Sequence, residues 1–223
     1  MKTTYKNIYQ LAAKNRGGVD HLEASLPRAK SAAELAAQTD DRYLSMMTRC
    51  VFRAGFVWRV INNKWPGFEE AFSNFNPLAI AHYSDEKLEE LGKDTRIVRN
   101  FTKIVSVRHN AMYVLDKQHS HGSFGKFIAE WPETDIVGFW LELKKNGSRL
   151  GGNSGPGMLR SMGKDTFMLT NDVCDALVNQ GLMKKFSPTA QRDLRLVEQV
   201  FADLQQQSGR SLCELSRILA FTV

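Results

Sequence analysis

The chain has 223 residues, 43% of them hydrophobic and 10% aromatic, which is enough apolar material for a packed core and too much for a disordered polymer. It holds no apolar run of the roughly 18 residues a membrane span requires, and Met1–Gly18 is polar with no signal-like core, so a cytoplasmic protein with no membrane contact is expected. Thirty Lys and Arg against 24 Asp and Glu leave a formal charge of +6; three scattered cysteines, Cys50, Cys174 and Cys213, exclude a disulfide framework and a cysteine-built zinc site.

Along the chain the pattern is helical, with no alternating apolar–polar runs of the kind half-buried strands show. Helices are expected near 4–15, 19–25, 31–38, 41–54, 56–64, 67–73, 77–82, 84–91, 96–117, 122–129, 134–146, 155–162, 171–180, 188–207 and 211–220, the shorter ones reducing to turns so that nine or ten remain. Ser31-x-x-Glu34 and Ser211-x-x-Glu214 are capping-box patterns, in which each side chain satisfies the other residue's free backbone N–H. Asn76-Pro77 and Ser187-Pro188 read as an N-cap followed by proline at the first helical position, where the missing N–H is not needed. After Ser187, Leu194, Val197, Phe201 and Leu204 share one helical face, and that helix should stop near Gly209. No repeat or long Pro/Gly/Ser linker appears, so residues 1–223 are taken as one domain.

The charge is unevenly placed. Residues 143–164 carry Lys144, Lys145, Arg149, Arg160 and Lys164 with no acid, and Arg96, Arg99, Lys103 and Arg108 lie unopposed between Asp94 and Asp116. Two acid-free basic stretches suit a polyanion, although solvated helix faces would give the same pattern. The first stretch coincides with residues 147–163, which hold six of the sixteen glycines. Within it, Leu150-Gly-Gly-Asn-Ser-Gly-Pro-Gly157 lies between two expected helices, where glycines leave backbone N–H groups unobstructed and a helix start favours a phosphate. A nucleotide P-loop is excluded, because Asp165 follows Gly163-Lys164 where Ser or Thr is needed and no strand precedes the loop. A plain glycine-rich surface loop remains open.

Two further pieces of sequence carry a resemblance. Arg149-Leu-Gly-Gly-Asn-Ser-Gly155 followed by Leu169-Thr-Asn-Asp172-Val resembles the helix-hairpin-helix and downstream aspartate of the DNA glycosylase superfamily, and Cys50-Val-Phe-Arg-Ala-Gly55-Phe-Val-Trp58 resembles the Ala-Gly-Leu-x-Trp segment of the DNA-3-methyladenine glycosylase I family. The second likeness continues through Phe72-x-x-Phe75-Asn-Pro77 and Ile97-Val-Arg99-Asn-x-x-Lys103-Ile104, over about residues 41–115. The resemblance implies an all-α, two-lobed helical bundle with its cleft between the lobes, acting on double-stranded DNA that contains alkylated bases, with no cofactor and no obligate protein partner. It implies that Gly152, Asn153, Ser154 and Gly155, with Arg160 and Lys164, hold DNA phosphate. Trp58, Phe52 and Cys50 then belong to the base pocket, and Asp172 is the catalytic carboxylate. Asn171 or Asp172 also reads as the cap of a helix beginning at Val173. Trp58 is expected to stack on the flipped base, a ring face being suited to a positively charged alkylpurine, while Phe56 is expected in the core.

The chain departs from that family in two places. Cys50 stands five residues before Gly55, where the family has a glutamate that recognises damaged adenine, and the Cys and His ligands of the family's structural zinc have no counterparts: no cysteine precedes Cys50 and the last histidine is His121. No metal is therefore expected. His119-Ser-His121 has the wrong spacing for two ligands on one helix face, and Cys50 has no base partner that would make it a nucleophile. The implied activity is monofunctional hydrolysis of a 3-methyladenine-like base from DNA, since no lysine lies beside Pro156 to attack the sugar; a DNA-binding protein without catalysis is the alternative.

Overall fold

The structure is a computed structural model describing residues 4–223, and it divides into two compact units. The chain begins with α1 (Tyr5–Asn15) and α2 (Val19–Ala24), then runs through α3 (Ala32–Ala36), α4 (Asp40–Arg53), α5 (Trp58–Asn63), α6 (Trp65–Ala71), α7 (Pro77–Ala81) and α8 (Asp85–Lys93). The long α9 (Phe101–His121) leads to α10 (Phe124–Glu130), α11 (Ile136–Asn146), α12 (Ser154–Met162), α13 (Asn171–Asn179), α14 (Gln191–Ser208) and α15 (Leu212–Ala220). Residues 31–131 and 139–162 form one unit; the described residues up to 30, with 132–138 and 163–223, form the other. There are fifteen α-helices and no strand among the described residues, and no helix there is long and apolar enough to cross a membrane. Nine or ten was too few, because short pieces such as α3 and α7 are stabilised as helices by their caps.

In the unit of residues 31–131 and 139–162, α4 is the axis. Its Tyr43, Leu44, Met47, Val51 and Phe52 are buried, and α9 and α12 pack against it. Beside it Trp65 stacks on Phe68 at 5.0 Å and on Phe75 at 5.5 Å, both rings nearly parallel to the indole. The Phe75 ring reaches this ladder because Ser73, Asn74 and Phe75 all take positive φ, an uncommon backbone for residues with a Cβ. Arg42 holds the bend by donating to the Asn74 carbonyl at 3.0 Å and to both oxygens of Glu69. The cap expected at Asn76 forms, its side chain accepting from the Ala79 N–H at 3.1 Å, and the Ser31–Glu34 box is complete.

In the other unit α15 packs on α1, α13 and α14, and Phe167 stacks on Phe201 with centroids 4.3 Å apart. The Ser211–Glu214 box caps α15, and Asp165 takes the next two free donors, the N–H groups of Leu212 and Cys213 at 2.9 and 2.8 Å.

Three helix starts differ from expectation for local reasons. Helix α9 begins at Phe101 rather than near residue 96, because the Asp94 carboxylate binds the backbone N–H and guanidinium of Arg96, and Asn100 caps the helix by accepting from Lys103 N–H. Ser187-Pro188 forms a turn instead of a helix start: Ala190 N–H donates to the Ser187 carbonyl, and α14 starts at Gln191. Helix α13 is capped by neither Asn171 nor Asp172 but by Thr170, whose hydroxyl accepts from Val173 N–H at 3.4 Å.

Candidate base- and DNA-recognition site

The glycine-rich segment forms a hairpin between α11 and α12. Leu150 is fully buried and anchors it; Arg149 and Gly152 both turn through positive φ, 61° and 58°. The loop is closed from within. Ser154 N–H donates to the Gly151 carbonyl at 3.3 Å, and Gly155 N–H donates to the Leu150 carbonyl at 3.1 Å. Of the four residues expected to present amides to phosphate, Ser154 and Gly155 therefore spend theirs inside the hairpin. A Cβ on Gly155 would lie 2.5 Å from the Leu150 carbonyl oxygen, so its lack of a side chain is a packing requirement. Gly152 is the opposite case: nothing lies within 4 Å of the place its Cβ would occupy. A side chain that sequence reasoning missed fixes the hairpin's entry. The buried Asn110 of α9 accepts from Ser148 N–H at 2.7 Å and donates to the Ser148 carbonyl at 3.1 Å. A polar residue on the buried face of a long helix was the available signal.

The basic residues around this hairpin separate. Arg149 reaches Thr102 at the start of α9, donating to its hydroxyl at 3.1 Å. Arg160 is half-buried on α12. Lys164, expected on the phosphate surface, is only 4% exposed and lies in the other unit; burial pushes its ammonium pKa down, so an ammonium held there cannot be offered to DNA at the surface.

The aromatic segment follows the end of α4. Phe52 is fully buried, with Phe68 edge-on at 4.7 Å, so its ring contributes no accessible surface to a pocket. Phe56, expected in the core, is 40% exposed. It is displaced because Lys103 occupies the adjacent interior: the Lys103 ammonium donates to the last carbonyls of α4, Phe52 at 3.1 Å and Ala54 at 2.6 Å, and lies 4.4 Å from the Phe56 ring centre. Lys103 is itself buried, and desolvation lowers its pKa. Lys103→Met should leave two helix-end carbonyls without a donor and destabilise the fold by about 1–3 kcal/mol; a chemical melt with the wild-type midpoint would show that the ammonium does not hold this turn.

Trp58 opens α5 and is 61% exposed, flanked by exposed Val57 and Val60. One face of its ring carries the Arg53 guanidinium, 4.9 Å from the centroid, while Arg49 lies 4.3 Å over Trp65. Between these arginines sits Cys50, half-buried, its thiol pushed up to about 11 by burial despite both neighbouring cations. It is therefore a neutral thiol at physiological pH and not a nucleophile. Arg53 also donates to Asn62 at 2.6 Å, yet the Nε groups of both Arg49 and Arg53 are buried without a hydrogen-bond partner.

Asp172 lies in the other unit, in the first turn of α13, exposed and free of hydrogen bonds and ion pairs among the described residues. Because Thr170 supplies the cap, the Asp172 carboxylate in the first turn of α13 is left available to a ligand. Elsewhere, His121 is paired with Glu130 at 2.8 Å, and among the described residues no three His, Cys, Asp or Glu side chains gather as a metal site. A hollow of about 570 Å³ lined by Glu70, Tyr83, Lys87, Asp94 and Arg96 contains none of the expected site residues.

A family model described as methyladenine glycosylase matches residues 35–146, half of the chain, ending just before the hairpin. Among solved structures, 3-methyladenine DNA glycosylase I from Staphylococcus aureus is 22% identical, with a TM-score of 0.50 over 56% of this chain and 77% of its own. The 8-oxoguanine glycosylase/lyase of Methanocaldococcus jannaschii, in complex with a 15mer DNA containing 8-oxoguanine, is 13% identical with a TM-score of 0.57, covering 96% of both chains. The 8-oxoguanine DNA glycosylase of Thermotoga maritima is 16% identical with a TM-score of 0.54 over 98% of this chain and 97% of its own. At such identities these likenesses establish a shared helical fold.

Proposed function

Since the chain belongs to the methyladenine glycosylase family, a family of DNA base-excision repair enzymes, we propose that it hydrolyses the N-glycosidic bond of an alkylated purine in duplex DNA and leaves an intact abasic strand. The observation that carries this reading is the indole of Trp58 at the start of α5, inside the matched segment, which at 61% is more exposed than the other exposed apolar rings among the described residues, Phe56 and Phe101. A flipped nucleotide brings its base to such a platform at a cost of a few kcal/mol, least for a lesion that already pairs badly. The Gly152 turn of the α11–α12 hairpin meets the phosphate, with a backbone no side chain obstructs.

In the reaction the C1′–N bond breaks with its electron pair leaving on the purine, and a water oxygen bonds to C1′ and gives up a proton. Asp172 stabilises the positive sugar and accepts that proton. No lysine lies within residues 150–157 to form a bond with C1′, so the strand stays uncut. All three cysteines are free, in keeping with action in a reducing cytoplasm, and the enzyme works on DNA without a protein partner.

Mass spectrometry of bases released from duplexes carrying cationic and neutral alkyl adducts tests the proposal. Free alkylated base together with uncut abasic strand is expected. Strand scission at the lesion would sink the monofunctional mechanism, and no base from any adduct would sink the glycosylase reading.

A further inference from the structure

Arg149 lies between two fixed neighbours in the hairpin. Asn110 clamps both backbone groups of Ser148, and the side chain of Leu150 is fully buried. The entry of the hairpin is thus held without the Arg149 side chain. Even so, an arginine occupies a backbone with φ of 61°, which glycine adopts at less cost. Its exposed guanidinium reaches away from the hairpin to α9, where one Nη donates to the Thr102 hydroxyl at 3.1 Å. That hydroxyl is itself oriented, donating to Asn100 Oδ1 at 2.9 Å. The next residue, Lys103, binds the carbonyls of Phe52 and Ala54 and lies 4.4 Å from the Phe56 ring centre. Arg149 therefore stands between the Gly152 turn and the segment that carries Phe56 and Trp58. Among the described residues Thr102 is its one hydrogen-bond partner, and it makes no ion pair there. Most of the five N–H donors of its fork are open. The charged group that acts on Lys103 is this same Arg149, so two cations stand together with no acid to balance them. Like charges held close raise each other's energy, and an anion placed beside them relieves it.

We propose that Arg149 grips a backbone phosphate of the lesion strand, a second one beside that at the Gly152 turn and nearer the flipped nucleotide, with Thr102 as the positioning residue that aims the guanidinium. The proposal rests on the reading that this hairpin meets duplex DNA. It supplies the side-chain cation that the buried Lys164 cannot offer. A planar fork matches two phosphate oxygens at once, which a backbone amide does not.

Two binding measurements on the full chain test it, and neither needs catalysis. The first is affinity for damaged and undamaged duplex as a function of salt. Arg149→Gln should weaken both about tenfold and lower the slope of log affinity against log salt by about one, with the melt unchanged. Arg149→Lys should keep the wild-type slope, since the charge remains. Thr102→Val should weaken binding less than Arg149→Gln and also keep the slope. An unmoved slope in Arg149→Gln, or a lowered melt shared by Arg149→Gln and Thr102→Val, makes Arg149 a structural tie and overturns the proposal. The second measurement uses duplexes with one uncharged methylphosphonate at successive positions around the lesion. In wild type two neighbouring positions should cost affinity; Arg149→Gln should remove the cost at the one nearer the lesion and Gly152→Asp at the other. The same cost at every position in wild type and Arg149→Gln overturns the proposal, as does a wild type that binds no duplex. The expected pattern from a protein that releases no base supports the phosphate contact, and the glycosylase reading alone has then failed.

Discussion

Asp172→Asn is expected to slow base release by about 10²–10³-fold, the usual cost of removing an electrostatic group that faces developing charge. The change keeps the side chain's shape. It does not disturb the cap of α13, because Thr170 supplies that, and Asp172 has no partner among the described residues to lose. Melting temperature and affinity for damaged duplex should therefore stay near wild type, which separates a catalytic loss from a structural one. The loss should be larger for a neutral adduct than for a cationic one, since a cationic purine leaves readily and asks less of the carboxylate. Single-turnover rates on the two adducts in the same variant measure this. Undiminished rates on both would reduce Asp172 to an exposed acid in the first turn of a helix.

Gly155→Ala and Gly152→Asp should fail in different ways, although the two residues are three apart in one hairpin. The added methyl of Gly155→Ala lies 2.5 Å from the Leu150 carbonyl oxygen and 3.3 Å from a Leu143 methyl, and the first of these is backbone that cannot swing aside. Overpacking of this kind costs about 1–3 kcal/mol, and at this chain length each kcal/mol lowers the melting temperature by about 2–4 °C. Because the hairpin itself is distorted, affinity for damaged and undamaged duplex should fall together. At Gly152 nothing crowds a side chain, and aspartate tolerates its left-handed backbone better than most residues. Gly152→Asp should stay folded, bind every duplex more weakly, and lower the slope of log affinity against log salt by about one phosphate's worth. A Gly152→Asp protein with wild-type DNA affinity would remove the hairpin turn from the DNA surface, and a Gly155→Ala protein with a wild-type melt would contradict the tight Leu150 contact.

The residues 31–131 and 139–162 and the residues of the other unit share one lesson about side chains of similar appearance. Lys103 and Lys164 both read as members of acid-free basic stretches, and both are buried. Phe52 and Phe56 stand four apart in one aromatic segment, yet one is core and the other is surface. For Phe56 the deciding neighbour is remote in sequence: the Lys103 ammonium that displaces it binds carbonyls 51 and 49 positions away.

By itself the sequence determined the all-helical class, both capping boxes, the Asn76-Pro77 start, the hairpin between two helices and the segment containing Trp58. Each of these is written within a few neighbouring residues: a cap is a hydrogen bond across three positions, and a glycine-rich turn depends on its own φ angles. The tertiary structure alone decided which hairpin amides are spent, that Asn110 clamps Ser148 from 38 positions away, that Thr170 releases Asp172, and that Arg53 and Lys103 cover the ring faces of Trp58 and Phe56. Burial and local charge are sums over whatever the fold brings near: Asn110 reaches Ser148 and Lys103 reaches Phe56 from tens of residues away, and even between near neighbours such as Arg53 and Trp58 the local sequence does not say which side chains meet.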